Sequence, residues 1–182
     1  MLMSILAEEI VEEWLNRQGF FTIRGIKIGV QEIDLLALRV IENNTECRHI
    51  EVTASITPMS YISNVPLEIQ KATGRAANSR SPRTTEELRV GVNEWIGKKF
   101  SQPKKIDLRQ KLYARNWSYE LVVNNVYCPE ELDLFREAGI KVFHLRDLLS
   151  ELKNKKTVIE KASGASLVDL IFLDDVSISE LL

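Results

Sequence analysis

A nearly continuous apolar run, EIDLLALRV at residues 32–40, constrains the fold of this chain more than any other segment. A half-buried strand alternates apolar and polar side chains, whereas a run of this kind is typical of a strand that is covered on both faces. Such a strand needs helices on both sides of its sheet, so the run predicts an α/β fold. Asp34 interrupts the run, and a carboxylate in that setting must be paired, hydrogen-bonded or bound to a metal ion.

The segments around this run predict a helix followed by three strands in the first 55 residues. Residues 4–18 place apolar side chains on one broad stripe at about 100° per residue, which indicates an amphipathic helix that ends at Gly19. Residues 20–26 (FFTIRGI) and 49–54 (HIEVTA) are rich in β-branched and apolar residues and predict strands. Asn43 and Asn44 predict the turn before the third strand.

A long polar excursion separates this region from the rest of the chain. Residues 55–85 are rich in Ser, Thr, Pro and Asn, with one predicted helix at 67–78, and loops of that size usually serve a function or are partly disordered. Thr84 and Thr85 followed by two glutamates predict a helix start, with the helix running to about residue 99. Pro103 is expected to stop any continuation.

The last third of the chain predicts a β-α-β unit. Residues 119–125 and 140–145 are predicted strands, and the predicted helix at 129–138 between them implies a parallel pair with a crossover. A further helix is predicted at 146–156. Residues 157–182, which contain LVDLIFLDD, are either an added strand and helix or a docking segment.

Composition limits the classes of protein that need to be considered. With 182 residues, 45% of them hydrophobic and 27% charged, the chain has the balance of one globular domain rather than a disordered or fibrous protein. Cys47 and Cys128 are isolated in sequence, which favours neither a zinc site nor a disulfide framework. No signal peptide or membrane-spanning run is recognisable, so a cytoplasmic location is expected.

Positive charge is concentrated in one quarter of the chain. Residues 71–115 contain 12 of the 24 Lys and Arg residues but only 4 acidic residues, although the net charge of the whole chain is −2. This asymmetry is typical of a surface that binds phosphate groups. A solvated basic helix face is the alternative.

Three acidic residues are candidate metal ligands. Asp34 and Glu51 lie on predicted neighbouring strands and would come within reach of one ion, and hard oxygen ligands suit Mg²⁺ or Mn²⁺ rather than zinc. Glu8 lies at the border of the apolar stripe of the first helix, with Glu12 one turn later as the second choice. Glu9 and Glu13 are expected further towards solvent. An acid of this kind taken alone is more often a salt-bridged structural residue than a functional one, and it is the order and spacing of the three together that favour a site.

Three segments together resemble the PD-(D/E)XK nuclease superfamily, in the branch of Holliday-junction resolvases and RecB-type nuclease domains. They are AEEIVEEWLNRQGF, QEIDLLAL and HIEVTAS, which bring Glu8, Asp34 and Glu51 onto the positions of the family's motif acids. The resemblance implies a restriction-endonuclease-like mixed sheet of about five strands flanked by helices, with an αβββαβ core. It implies a nuclease domain at residues 1–152 with a basic insertion at about 56–115, and residues 153–182 as its extension.

Two positions depart from the family pattern: Gln31 stands where glycine is common, and the second departure bears on catalysis. Thr53 stands where the family has a lysine that positions or activates water and steadies charge on the phosphate. Lys71, in the predicted helix after the third strand, is the expected replacement. The other possibility is that the fold is kept for binding DNA or for assembling a complex while catalysis has been lost.

The resemblance implies a metal-dependent DNA endonuclease. Asp34 and Glu51 would hold Mg²⁺ or Mn²⁺, Glu8 would assist directly or through water, and duplex or branched DNA would be the partner, with a homodimer possible. His49 and His144 are expected to be structural, and Trp95 and Trp117 either stack on bases or belong to the core. The predicted contacts to the DNA backbone are Arg75, Arg80, Arg83, Lys98, Lys99, Lys104, Lys105, Arg109 and Lys111.

Overall fold

A computed structural model describes residues 2–55, 57–154 and 157–172, and these residues form seven helices and five strands. In chain order the elements are α1 (Leu2–Arg17), β1 (Phe21–Ile28), β2 (Gln31–Ile41), β3 (Asn44–Thr53), α2 (Leu67–Thr73), α3 (Thr85–Phe100), α4 (Pro103–Leu112), β4 (Ser118–Val123), α5 (Pro129–Glu137), β5 (Lys141–His144), α6 (Leu145–Asn154) and α7 (Ala165–Ile171). The predicted α/β class is confirmed.

The five strands form one mixed sheet in the order β1-β2-β3-β4-β5. Strands β1, β2 and β3 are antiparallel neighbours, whereas β3 pairs with β4 and β4 with β5 in parallel. Helix α5 connects β4 to β5, which confirms the predicted β-α-β unit. The antiparallel half and the parallel half therefore meet at β3, the strand that carries Glu51.

Both faces of the sheet are covered, as the apolar run in β2 predicts. Three consecutive residues of that strand, Leu35, Leu36 and Ala37, are at most 2% exposed, so neighbouring side chains on opposite faces are both buried. One core lies between the sheet and α1, α6 and α7 and contains Leu35, while the other lies between the sheet and α3 and α5 and contains Leu121.

The predicted start of α3 is confirmed by its cap. The Thr84 hydroxyl accepts the backbone N–H of Glu87 while the Glu87 carboxylate accepts the backbone N–H of Thr84, which is a complete capping box. Helix α2 is shorter than predicted because it ends at Gly74, whose φ of 70° is left-handed.

The second half of the chain differs from the predictions at two places. The predicted stop holds, because α3 ends at Phe100 and does not continue through Pro103, but an unpredicted helix, α4, begins at Pro103 itself. Proline is tolerated there because it lacks only an N–H that the first turn of a helix leaves unpaired. The LVDLIFLDD segment contributes to the helix α7, which packs on α1, and no added strand occurs in residues 157–172. The remainder, residues 173–182, lies outside the described residues. Among the described helices, none has the length and apolar character needed to cross a membrane.

Candidate active site

Asp34 and Glu51 lie side by side on neighbouring strands. The pairing of Leu35 with Ile50 in the antiparallel register places Asp34 next to Glu51 on the opposite face of the sheet from that pair. The ammonium of Lys99, near the end of α3, lies 2.5 Å from Glu51 Oε2 and 3.9 Å from Asp34 Oδ2. Both carboxylates are therefore within reach of a single cation, as predicted from the strand order.

Glu51 is fully buried and its carboxylate is held by three side-chain donors. Lys99 Nζ donates to Oε2, while His49 Nε2 at 3.0 Å and Lys105 Nζ at 3.2 Å donate to Oε1. A buried carboxylate is tolerated only when such partners compensate for its lost hydration. Lys105 is itself only 2% exposed and also donates to the backbone carbonyl of Lys99 at 2.9 Å, so it fixes α3 and α4 relative to β3.

A buried histidine connects Glu51 to Arg109. Arg109 Nη1 lies 2.8 Å from His49 Nδ1, and because a guanidinium only donates, Nδ1 accepts and the proton of the neutral ring is on Nε2, facing Glu51. Burial, and then the charge of Arg109, lowers the pKa of His49 to about 2, so the ring stays neutral. The structural role predicted for His49 is a specific one, namely to orient the carboxylate of Glu51.

Asp34 has a different environment from Glu51. Its Oδ2 accepts the backbone N–H of Val52 at 2.8 Å, and its side chain is 13% exposed. Burial, and then the neighbouring charge of Glu51, raises the pKa of Asp34 from 3.8 to about 6. A carboxylate that is costly to ionise gains strongly from a nearby cation.

The pKa values of the two lysines at Glu51 are shifted in opposite directions. Burial lowers the pKa of Lys99, but the carboxylates of Glu51 and Asp34 together outweigh it and raise that pKa above its ordinary value. Burial dominates for Lys105, whose pKa is lowered. Lys99, with 29% of its side chain exposed, is thus a charged group with access to solvent. Lys105 is buried and donates to Glu51 and to the backbone carbonyl of Lys99.

Lys99, rather than the predicted Lys71, brings the ammonium to the two acids. Lys71 is exposed on α2, and within the described part of the chain the lysines at ion-pairing distance from Asp34 or Glu51 are Lys99 and Lys105. The signal for Lys99 was present in the sequence, because it follows Leu88, Val92 and Trp95 at the helical spacings that face the sheet.

The donor set fits a divalent ion. Mg²⁺ commonly binds through one or two carboxylates and keeps several waters, and Asp34 and Glu51 supply two hard oxygen ligands. The ammonium of Lys99 stands at a position between them where a positive charge is stabilised. Such an ion would be held by these two carboxylates once Lys99 moves towards the solvent.

The predicted third acid does not join this pair as a direct ligand. Over residues 2–55, 57–154 and 157–172, no three His, Cys, Asp or Glu side chains are grouped so as to hold a metal ion. Glu8 lies half-buried on α1, and its assistance through water stays a prediction. Glu12, the second choice, accepts a hydrogen bond from Thr22 at 3.1 Å and pairs with Arg24 at 2.9 Å.

The prediction that Glu13 faces solvent is wrong. Glu13 is fully buried, where its carboxylate pairs with Arg17 at 2.7 Å and accepts the backbone N–H groups of Ala162 and Gly164 at 3.0 and 2.9 Å. The apolar stripe of α1 did not predict the burial of Glu13, because the segment before α7 covers a side of α1 that carries polar residues. Glu13 is therefore an anchor for the C-terminal region.

The nine predicted phosphate contacts separate into three groups. Arg80, Lys98, Lys104 and Lys111 are exposed, although Lys111 pairs with Asp107 at 2.7 Å. Arg75 pairs with Glu87 and Arg83 donates to the carbonyl of Ser63, so both also hold the excursion before α3. Lys99, Lys105 and Arg109 belong to the site around Glu51. The prediction is wrong for Lys105 and Arg109, which are at most 3% exposed and cannot contact a DNA backbone.

Comparison with known proteins adds little to this geometry. No family of proteins and no curated protein matches the sequence. The chain is similar in structure to AF1548, a protein of unknown function with a solved crystal structure, at 16% sequence identity and a TM-score of 0.45, covering 91% of this chain and 76% of that one.

Proposed function

We propose that this protein is a metal-dependent DNA endonuclease that hydrolyses phosphodiester bonds, with Asp34, Glu51 and Lys99 as its active-site residues. The observation that carries the proposal is the position of Lys99, whose ammonium lies against both acids although Thr53 has replaced the lysine of the resembled motif. A structural ion pair would be satisfied by one lysine, whereas Glu51 has two, one of them buried and one with access to solvent.

The chain's own residues would divide the work at the phosphate. A Mg²⁺ or Mn²⁺ ion held by Asp34 and Glu51 would supply an acidified water and shield the negative charge of the phosphate. Lys99 would then donate to a phosphate oxygen and stabilise the charge that develops there. The Val52 N–H orients Asp34, and His49 together with Lys105 orients Glu51, so neither carboxylate needs to reorganise during the reaction.

Two exposed lysines on the helices that carry Lys99 and Lys105 support a DNA substrate. Lys98 adjoins Lys99 at the end of α3, and Lys104 lies at the start of α4 with its ammonium beside the β1–β2 turn at Gly29. Contacts of this kind position a nucleic acid through its phosphates without reading its sequence.

The second candidate function is a DNA-binding or complex-assembly subunit without catalysis. The observation that favours it is that both oxygens of Glu51 already accept hydrogen bonds from side chains, two of them cationic. A metal ion must displace Lys99 from this arrangement before any reaction can begin. If the displacement is too unfavourable, the same constellation is a structural charge cluster beneath a DNA-binding surface.

Cleavage assays with substitutions at the acids test the proposal. Linear, branched and single-stranded DNA are incubated with Mg²⁺ or Mn²⁺ and wild-type protein, Asp34→Asn or Glu51→Gln. Wild type is expected to cut at least one substrate, and each substitution is expected to abolish cutting because both ligands serve the same step. Glu120→Gln is the matched control, since Glu120 is a fully buried carboxylate on β4 that pairs with Ile50 and therefore lies on the opposite face of the sheet.

The control separates loss of chemistry from loss of stability. If Glu120→Gln loses activity as completely as Glu51→Gln, general destabilisation explains both, and the site at Asp34 and Glu51 is not supported. If the wild-type protein cuts none of the substrates but binds them, and Asp34→Asn binds them equally well, the non-catalytic function is the better one.

A further inference from the structure

A cavity of about 390 Å³ opens next to Lys99, between α2 and α3. Its size falls in the range of about 300–1000 Å³ that small-molecule sites occupy. Lys99 lies at the boundary between this cavity and the two acids, because its side chain both lines the cavity and donates to Glu51. Trp95 supplies an aromatic wall, Ile62 and Leu67 are apolar, and Asn64 and Gln70 carry amides.

One wall of the cavity is a loop that buried hydrogen bonds hold in place. The buried carboxylate of Glu131 accepts the backbone N–H groups of Ile62 and Ser63 at 2.7 and 2.8 Å and also the Ser63 hydroxyl. The loop then crosses α3 at Gly91, where an added Cβ would come within 2.8 Å of Ser63 Oγ and 2.9 Å of the Asn64 carbonyl oxygen. Such a cavity is preformed, so a ligand does not have to order its wall on binding.

The aromatic wall is also held in place. Trp95 makes edge contacts with Phe135 and Phe100, at ring-centroid distances of 5.0 and 5.8 Å. Lys99 Nζ lies 6.0 Å from the centroid of the Trp95 ring. An aromatic surface and a cation at this separation suit a base and a phosphate of the same nucleotide.

The polar lining favours a ligand with hydrogen-bonding edges. The Gln70 amide nitrogen donates to the Val65 carbonyl at 2.6 Å, which fixes the side chain. The Glu94 carboxylate is held at the backbone N–H of Leu67, at 3.2 Å from each oxygen. An aromatic face combined with fixed amide and carboxylate groups is the combination that recognises a nucleobase.

We propose that this cavity receives one unpaired nucleobase, from the nucleotide whose phosphate lies at Lys99. The inference rests on the proposed function and narrows its substrate to single-stranded or branched DNA that presents an unpaired base. A continuous duplex would first have to release a base from its stack, and the lost stacking and pairing oppose binding.

A short probe with a single base tests this directly. Two fluorescently labelled strands of six nucleotides are compared, one entirely abasic and one with a single thymine in an otherwise abasic backbone, without divalent ions so that no cleavage occurs. The lone base can slide into the cavity whatever the register of the backbone. Stacking is expected to raise the affinity of wild-type protein about tenfold.

Variants then show which residue causes the higher affinity for the thymine strand, which is called the gain below. Trp95→Leu is expected to remove the gain and Trp95→Phe to retain most of it, whereas Trp117→Leu, near the start of β4, should leave it intact. If Trp95→Leu fails to fold, Gln70→Ala serves as the second variant and should reduce the gain several-fold.

Three outcomes would each overturn the proposal. They are equal affinity of wild-type protein for both strands, no measurable binding of the thymine strand, and an undiminished gain in folded Trp95→Leu. A base-dependent gain without any cleavage of longer DNA would support the cavity while contradicting the endonuclease.

Discussion

Glu51 and Glu131 are both fully buried carboxylates with three hydrogen-bond donors, but their donors are of different kinds. Glu131 accepts two backbone N–H groups and one hydroxyl, all from Ile62 and Ser63. Glu51 accepts from His49, Lys99 and Lys105, so all its donors are side chains and two are cationic. Glu131 therefore fixes a loop, whereas Glu51 binds side-chain cations that another cation could replace.

The kind of donor distinguishes a structural anchor, Glu131, from a candidate active-site residue, Glu51. Backbone donors cannot leave Glu131 without unfolding the loop, so a substitution there should act on stability. Lys99 is a long side chain with 29% exposure, so we expect it to leave Glu51 without unfolding any backbone. Substitution of Lys99 should therefore act mainly on binding and chemistry.

Glu131→Ala is expected to have the largest effect on stability. Removing the carboxylate leaves the buried N–H groups of Ile62 and Ser63 without partners, each at a cost of about 1–3 kcal/mol. We expect the free energy of unfolding in urea to fall by about 3–5 kcal/mol. Glu130→Ala, at the exposed neighbouring position, is the control and should change it little. A loss below about 1 kcal/mol would mean that Glu131 is not an anchor.

Asp34→Asn is expected to stabilise the protein at neutral pH. Because folding raises the pKa of Asp34 from 3.8 to about 6, the folded state binds the proton more tightly, and stability falls as pH rises through that interval. Asparagine has no charge to bury and can still accept the Val52 N–H. The gain at pH 7.5 should be on the order of 2–3 kcal/mol.

The pH dependence provides the check on this interpretation. Unfolding curves at pH 4 and pH 7.5 should differ less for Asp34→Asn than for wild type. Asp133→Asn, at an exposed position on α5, is the matched control and should keep the wild-type difference. Equal stability of Asp34→Asn and wild type at pH 7.5 would contradict the raised pKa.

Lys98→Gln and Lys104→Gln are expected to have the smallest effects. Each exposed lysine that contacts a phosphate adds close to one unit to the slope of log affinity against log salt concentration, about 0.9 for duplex and about 0.7 for single strands. Each substitution should therefore lower that slope by about one unit without changing stability. Arg136→Gln, on α5, is the control. Unchanged slopes in both lysine variants would leave these side chains as solvated surface.

The parts of the fold that local patterns determine were predictable. The apolar run of β2 indicated coverage of both faces, and the alternation of side chains along β2 and β3 brought Asp34 and Glu51 together. The anchors were not predictable, because Glu13 and Glu131 receive their donors from segments 149 and 69 residues away. Lys99 is intermediate, since helical spacing indicates that it faces the sheet but not that it reaches Glu51.

Moving the lysine from α3 to β3 tests whether the ammonium of Lys99 takes part in cleavage. Cleavage rates are measured in Mn²⁺ for wild type, Lys99→Met, Lys71→Ala and the double variant Lys99→Met with Thr53→Lys. We predict that Lys99→Met loses about 100- to 1000-fold in rate, that Lys71→Ala cuts like wild type, and that the double variant regains much of the loss because the ammonium returns from β3. Wild-type rates in Lys99→Met, or no cleavage by any of the four proteins, would contradict the assignment of Lys99 to the reaction.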